Sequence, residues 1–167
     1  MKPAAFEYRR PESLNEALDL LAELGEDAKP LAGGQSLVPL MNFRLARPEA
    51  LVDLNPLGEL AGIRVDDGAL VVGCMTRQWE LEVSEPMRKL CPLLGEALVH
   101  VAHLAIRTRG TVGGSIAHAD PTAELPVAAV ALGAELVVAS GAEERRTIPA
   151  DDFFQYHFTT GLEPTEL

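Results

Sequence analysis

Arg109-Gly110-Thr111-Val112-Gly113-Gly114-Ser115-Ile116-Ala117-His118-Ala119-Asp120-Pro121-Thr122-Ala123-Glu124-Leu125-Pro126 packs glycines, small hydroxyls, an imidazole and two acids into one stretch. An earlier stretch, Ala32-Gly33-Gly34-Gln35-Ser36-Leu37, has the same pair of adjacent glycines with a serine close behind. Each pair follows a segment that reads as extended, and each precedes an apolar run. Adjacent glycines let the backbone turn with φ > 0 and approach a ligand with no Cβ in the way. A bend of this kind that opens a helix gathers free N–H groups and the positive end of the helix dipole, which suits an anion. Two such bends in one small chain point to a ligand with two linked phosphates. A dinucleotide is the natural candidate.

The elements around the first bend read as β-α-β. Ser13 and Glu16 form an S-x-x-E capping box, and Leu14, Ala17, Leu18, Leu21 and Leu24 follow at helical spacing. Gly25 ends that helix. Phe6 to Tyr8 and Lys29 to Ala32 read as the flanking strands. After Gly33-Gly34, Ser36 is expected to cap a short helix through Val38, Leu40, Met41 and Phe43, which Pro48 stops. Ala50 to Leu54 reads as a third strand, and Asn55-Pro56-Leu57-Gly58 as a turn marking a subdomain boundary. The expected division is 1–55 and 56–167. The second part opens with a hairpin, Ile63 to Val65 and Ala69 to Gly73, around Asp66-Asp67-Gly68. Helices are expected from Thr76 through Leu81, and from Pro92 through Leu98 and Val101 to Ala105. Another is expected from Asp120-Pro121 to Gly133, with Asp120 as N-cap. Strands Glu135 to Ala139 and Arg145 to Ile148 complete an α+β class.

Composition narrows the field. The chain has 167 residues, 47% hydrophobic and 23% charged, in the range of a globular domain. No apolar run approaches the roughly 20 residues that span a bilayer, and no secretory h-region follows Met1, so a cytoplasmic setting without membrane insertion is expected. A net charge of −11 argues against a nucleic-acid partner. It also requires that any diphosphate be held by local donors. Arg44, Arg47, Arg107 and Arg109 lie near the bends in sequence and read individually as surface residues. Cys74 and Cys91 read as reduced core residues, and two thiols fall short of the about four an iron–sulfur cluster takes. His100 and His103 lack a third metal ligand nearby, so no metal site is expected. Met41 and Phe43 read as core, and Trp79 as packed against the second subdomain.

Neither a G-x-G-x-x-G nor a Walker-type Gly-Lys-Ser/Thr occurs, and a lone Gly-Gly pair is a weak signal. The context is what carries weight. The stretch from Arg109 to Pro126 resembles the second flavin motif of the FAD-binding domain in molybdenum hydroxylases, the xanthine dehydrogenase and carbon monoxide dehydrogenase family. Ala32 to Leu37, followed by Pro39-Leu40-Met41, resembles the first motif. Order and separation agree, and the resemblance covers nearly the whole chain. It implies a two-subdomain α+β FAD module of the vanillyl-alcohol-oxidase (PCMH) type.

Carried over by resemblance, Ala32, Gly33, Gly34, Gln35, Ser36 and Leu37 form one side of the pyrophosphate site. Thr111, Val112, Gly113, Gly114 and Ser115 form the other, both through backbone N–H groups. Glu124 matches an acid near the adenosine, His118 and Asp120 line the same turn, and Val101 matches an apolar contact to the cofactor. Ser115 stands where Asn or Asp is frequent, and Glu124 where Asp is usual. A valine at Gly114 is expected to expel the cofactor with the fold retained. Members of the family continue into a C-terminal domain that helps cover the flavin, and that domain is expected to be absent here, since the chain ends at Leu167. The resemblance also implies partners: a large molybdopterin subunit that oxidises the substrate, and a small subunit with 2Fe-2S clusters that feeds electrons to FAD. No side chain of this chain is then needed as a catalytic acid, base or nucleophile. Two other functions fit the residues: a self-sufficient flavin oxidoreductase, and a non-redox nucleotide-binding module.

Overall fold

The structure, a computed structural model, describes residues 1–141 and 143–167. It opens with β1 (Glu7–Arg9), α1 (Leu14–Leu24), β2 (Ala28–Leu31), α2 (Leu37–Asn42) and β3 (Ala50–Asp53). Strand β3 lies between β1 and β2 and runs parallel to both. It is therefore buried along its whole length, and its Ala-Leu-Val sequence fits that place. Helix α1 starts as the sequence predicts: Ser13 Oγ accepts from the Glu16 amide at 3.2 Å. The Glu16 carboxylate reaches back one residue further than a capping box requires, to the Glu12 amide at 2.7 Å. Gly25 closes the helix at φ +59. Ala17, Leu18 and Leu21 are buried, and Ala17 and Leu21 share a core with Ala28, Ala50 and Val52 of the sheet.

Asp53, the polar end of β3, is 7% exposed. It is tolerated there because its carboxylate accepts from the Tyr8 hydroxyl, from Asn55 Nδ2 and from the Asn55 amide. Burial pushes this carboxyl up, but the Tyr8 and Asn55 hydrogen bonds and the nearby Arg10 charge outweigh it and leave it below the ordinary aspartate value. A group with a depressed folded-state value stabilises the fold above its unfolded value, about 3.9. The contribution is lost as pH falls through the folded value. Asp53→Asn is therefore expected to cost about 1–2 kcal/mol at pH 7. The gap from wild type should shrink below pH 4, measured by urea unfolding at the two pH values. A gap that stays constant with pH would show that the charge contributes nothing.

The second part begins with the hairpin of β4 (Ile63–Asp66) and β5 (Ala69–Val72), which turns at Asp67 (φ +46) and Gly68 (φ +79). Four short helices follow: α3 (Gln78–Glu82), α4 (Glu85–Leu90), α5 (Pro92–Leu98) and α6 (Leu104–Arg107). Two expectations fail here. Arg77 rather than Thr76 occupies the N-cap of α3, because the Thr76 hydroxyl is buried and bonded to Gly62. The helix from Pro92 stops at Leu98 instead of reaching Ala105. Ala102 takes φ +40, and the Arg107 guanidinium, paired with Glu82 at 2.9 Å, draws in the carbonyls of Val101 and Ala102. The chain then forms α7 (Val112–His118), α8 (Glu124–Ala131), the hairpin of β6 (Glu135–Ala139) and β7 (Arg145–Pro149), α9 (Ala150–Phe153), and a last hairpin of β8 (Phe154–Tyr156) and β9 (Thr159–Thr160). Helix α8 starts at Glu124, not at Pro121. The Asp120 carboxylate accepts from the Thr122 amide at 2.8 Å, closing a tight Asx turn instead of capping a helix.

Two hydrophobic cores result. One gathers Ala17, Leu21, Ala28, Ala50 and Val52 with Leu54, Leu57 and Met75. The other gathers Leu81, Met87, Leu98, Ile116, Leu125, Val138, Ile148 and Phe153. Neither contains Phe43, which is 64% exposed, nor Cys74, which is exposed, nor Cys91, which is half-buried. The sequence predicts all three inside. All three lie between elements, Phe43 and Cys91 at helix caps and Cys74 in a turn, where apolar neighbours in sequence do not ensure burial. Trp79 is likewise 38% exposed.

Candidate dinucleotide site

The two glycine stretches meet at the junction of the two cores. A Cβ on Gly33 would strike the Arg109 carbonyl and come within 2.8 Å of Gly110 Cα; one on Gly114 would come within 3.3 Å of the Ala32 methyl. The loops thus touch backbone to backbone, and a cleft of about 390 Å³ runs along them. Of the residues predicted from the sequence, Ala32, Gly33, Gly34, Gln35, Ser36, Leu37, Val101, Thr111, Gly114, Ser115, His118, Asp120 and Glu124 line it. Val112 and Gly113 do not. They lie behind the wall, where Val112 N bonds Thr76 O at 3.0 Å and Gly113 N bonds Cys74 O at 2.8 Å.

The two stretches differ in what they offer. In the first, Gly34 takes φ +70, which only glycine adopts without strain. Among the described residues no group accepts from the amides of Gly33, Gly34, Gln35, Ser36 or Leu37. Five successive donors are therefore left without a partner, as an anion cradle requires. The Ser36 hydroxyl makes no capping bond to α2, contrary to the sequence expectation. In the second stretch the expectation of a positive-φ bend with free amides also needs correction. Gly113 and Gly114 lie inside the first turn of α7 with helical backbone. Thr111 Oγ1 accepts from Gly114 N at 3.1 Å and Thr111 O from Ser115 N at 3.2 Å. Only the Thr111 amide of residues 111–115 lacks an acceptor among the described residues. These glycines are small because Cys74 and Thr111 press on them: a Cβ on Gly113 would lie 2.8 Å from Cys74 Cα, one on Gly114 2.7 Å from Thr111 Oγ1.

The rest of the wall is chemically divided. The one Lys or Arg among the described residues lining the cleft is Lys29, which no motif marks; Arg44, Arg47, Arg107 and Arg109 do not line it. Lys29 belongs to β2, immediately before the first loop, and strand position was the one available clue. Asp120 and Glu124 supply carboxylates from the turn and first residue of α8. The amide and hydroxyl of Thr122 hold the Asp120 carboxyl below the ordinary aspartate value, so it is an acceptor at neutral pH. His118 packs its ring on Phe158 at 5.2 Å between centroids. Val101 and Ile106 give apolar surface. Gln78, also unforeseen, is 5% exposed with its Oε1 unpartnered and its Nε2 3.4 Å from Thr111 O. A larger hollow of about 510 Å³, lined by Glu82, Met87, Pro92 and Gly95 among others, has neither free loop amides nor any predicted residue.

Along one cleft of this mixed helix-and-sheet domain stand five unpartnered amides, a lysine, two carboxylates and an apolar wall, a donor set of the kind a dinucleotide requires. Comparison with known proteins gives the particular family. Residues 4–167 match the model described as the FAD binding domain in molybdopterin dehydrogenase. The chain is 45% identical, over all 167 residues, to the caffeine dehydrogenase subunit beta of Pseudomonas sp. (strain CBB1), and covers 57% of that protein. It is also 45% identical to the carbon monoxide dehydrogenase medium chain of Hydrogenophaga pseudoflava, of which it covers 58%. The solved carbon monoxide dehydrogenase from H. pseudoflava superposes with a TM-score of 0.96 at 46% identity, over 100% of this chain and 58% of the other. Quinoline 2-oxidoreductase from Pseudomonas putida 86 gives 0.95 at 44% identity, with the same coverage. The chain belongs to the FAD-binding domain family of the molybdopterin dehydrogenases, and it spans under three-fifths of the length of these relatives. Among the described residues no helix is long and apolar enough to cross a membrane.

Proposed function

We infer that this chain is the FAD-binding domain of the medium, flavoprotein subunit of a molybdenum hydroxylase. Electrons from iron–sulfur clusters in a small partner subunit, loaded by substrate oxidation at a molybdopterin centre in a large one, pass through FAD to an external acceptor. The observation that carries this reading is the row of five unpartnered amides from Gly33 to Leu37 in a chain whose sequence matches the family end to end. Bound FAD supplies a ring system that takes up and releases electrons; the protein holds and orients it. The Gly33–Leu37 amides and Lys29 neutralise the diphosphate against a net charge of −11. Each charge-assisted bond contributes about 1.5–3 kcal/mol. Asp120 and Glu124 accept from ribose hydroxyls, while Val101 and Ile106 exclude water from one edge. The two cores support a two-subdomain module of the vanillyl-alcohol-oxidase type divided near residue 55, with Leu57 and Met75 returning to the first core.

Relatives named as subunits and medium chains favour the partnered role over a self-sufficient enzyme. The purified protein is expected to be yellow, or to become so with added FAD, and to bind with a dissociation constant of about 1 μM or below, that is, about −8 kcal/mol or stronger. It should oxidise no substrate until the partner subunits are added. A protein that stays colourless once unbound FAD has been removed would return the domain to the non-redox class. Turnover by the isolated protein would favour the independent flavoenzyme.

A further inference from the structure

A single chain of hydrogen bonds ties together the entrances of the two glycine stretches. Asn55 Nδ2 donates to the Ala32 carbonyl at 2.9 Å, where the first loop begins. Asn55 Oδ1 accepts from Arg77 Nη2 at 2.7 Å. Arg77 Nη1 donates to the Arg109 carbonyl, where the second stretch begins. That carbonyl is the atom that abuts Gly33. Both ends of the bridge are fixed. Asn55 is held by the Asp53 carboxylate through its amide and side chain, at 3.0 and 2.5 Å. The main chain of Arg77 is held by Glu80 Oε2 at 3.1 Å, and the next amide, Gln78 N, donates to Gly110 O at 2.9 Å.

Neither Asn55 nor Arg77 lines the cleft. Among the described residues Arg77 forms no ion pair, so in an acidic chain its guanidinium serves two neutral oxygens. A planar fork spans two such acceptors at once; a lysine ammonium on its single stem holds a bridge of this kind poorly. We propose that Asn55 and Arg77 are positioning residues that set the separation of the two glycine loops and so determine how tightly the dinucleotide is held. What the loops hold rests on the FAD reading; that the pair fixes their spacing does not.

Arg77→Met, Arg77→Lys, Asn55→Ala and the double variant Asn55→Ala/Arg77→Met, each in the full chain, test this with two readouts. Without ligand, amide hydrogen exchange at Val112–Ser115 is expected to rise at least about tenfold in Arg77→Met, because the Arg109 carbonyl at the head of that stretch loses its side-chain donor and the stretch opens more often, while the β3 amides stay protected. In titrations of apoprotein with FAD, the dissociation constant is expected to rise about tenfold or more in each Met or Ala single variant, with Arg77→Lys between wild type and Arg77→Met. The double variant should bind within about threefold of the weaker single, because one bridge is broken either way. Unchanged exchange at 112–115 in the folded Met and Lys variants would overturn the proposal whatever FAD does. Raised exchange with wild-type FAD affinity would overturn the link to binding, and multiplying costs in the double variant would overturn the single bridge. If wild type itself fails to bind FAD, the functional reading fails, while the exchange measurement still decides the spacing.

Discussion

Gly33→Val is expected to give a folded protein that no longer retains FAD. The added side chain meets the Arg109 carbonyl and Gly110 Cα, both main-chain atoms of the opposite stretch, which cannot turn aside as a flexible side chain would. The two cores keep their own contacts, so far-ultraviolet dichroism should match wild type. What gives way is the junction, and with it the register between the free amides of Gly33–Leu37 and the facing wall. Overpacking of this kind costs about 1–3 kcal/mol. If that is taken from binding, FAD affinity falls about 5- to 150-fold at 1.4 kcal/mol per decade. Gly33→Ala carries the same first carbon and should already show most of the loss. Gly58→Ala is the control: its Cβ meets nothing within 4 Å and its φ is not positive, so binding should be unchanged. Flavin occupancy equal to wild type in Gly33→Val, at FAD concentrations near the wild-type dissociation constant, would show that the loops need not touch.

Gly113→Ala acts on the other side of the same wall, and its expected effect is on stability. The new methyl would lie 2.8 Å from both the Cα and the carbonyl oxygen of Cys74, the acceptor of the Gly113 amide. Helix α7 must lift, weakening that bond and the neighbouring bond from Val112 N to Thr76 O. A loss of about 2–3 kcal/mol is expected. For a chain of this length that corresponds to a fall in Tm of roughly 4–12 °C. Thermal melts of the apoprotein read it directly, and a Tm within 1–2 °C of wild type, less than about 1 kcal/mol, would refute the close approach. The same geometry changes the expectation for Gly114→Val. Its Cβ would press on Thr111 Oγ1 and the Ala32 methyl, so it breaks the α7 cap along with any effect on ligand. Gly33→Val separates binding from folding more cleanly.

Local signals in the chain were reliable where one residue decides one bond. Ser13 caps α1 and Gly25 ends it, and Asp67-Gly68 turns the β4–β5 hairpin, because these geometries depend on neighbours in sequence. The helix expected to run from Pro92 to Ala105 failed for the opposite reason. The Arg107 guanidinium, which binds the Val101 and Ala102 carbonyls, is paired with Glu82, 25 positions away in the sequence. Thr76 likewise yielded its capping role to a bond with Gly62, a residue 14 positions away. Lys29 and Gln78 carried no motif, and only folding brings them to the cleft.

The glycine stretches mark the division most clearly. Sequence by itself determined that this chain carries two small-residue segments of the FAD-binding family and an α+β alternation around them, since residue type and order suffice for both. Tertiary structure alone decided what each glycine is for. Gly34 supplies a backbone angle, Gly33 and Gly114 let two loops touch, and Gly113 makes room for Cys74. The physical reason is that a missing Cβ looks the same in sequence whether it frees a dihedral, admits a ligand or admits another strand of backbone. The outcome depends on which atoms arrive opposite it, and distant parts of the chain deliver those.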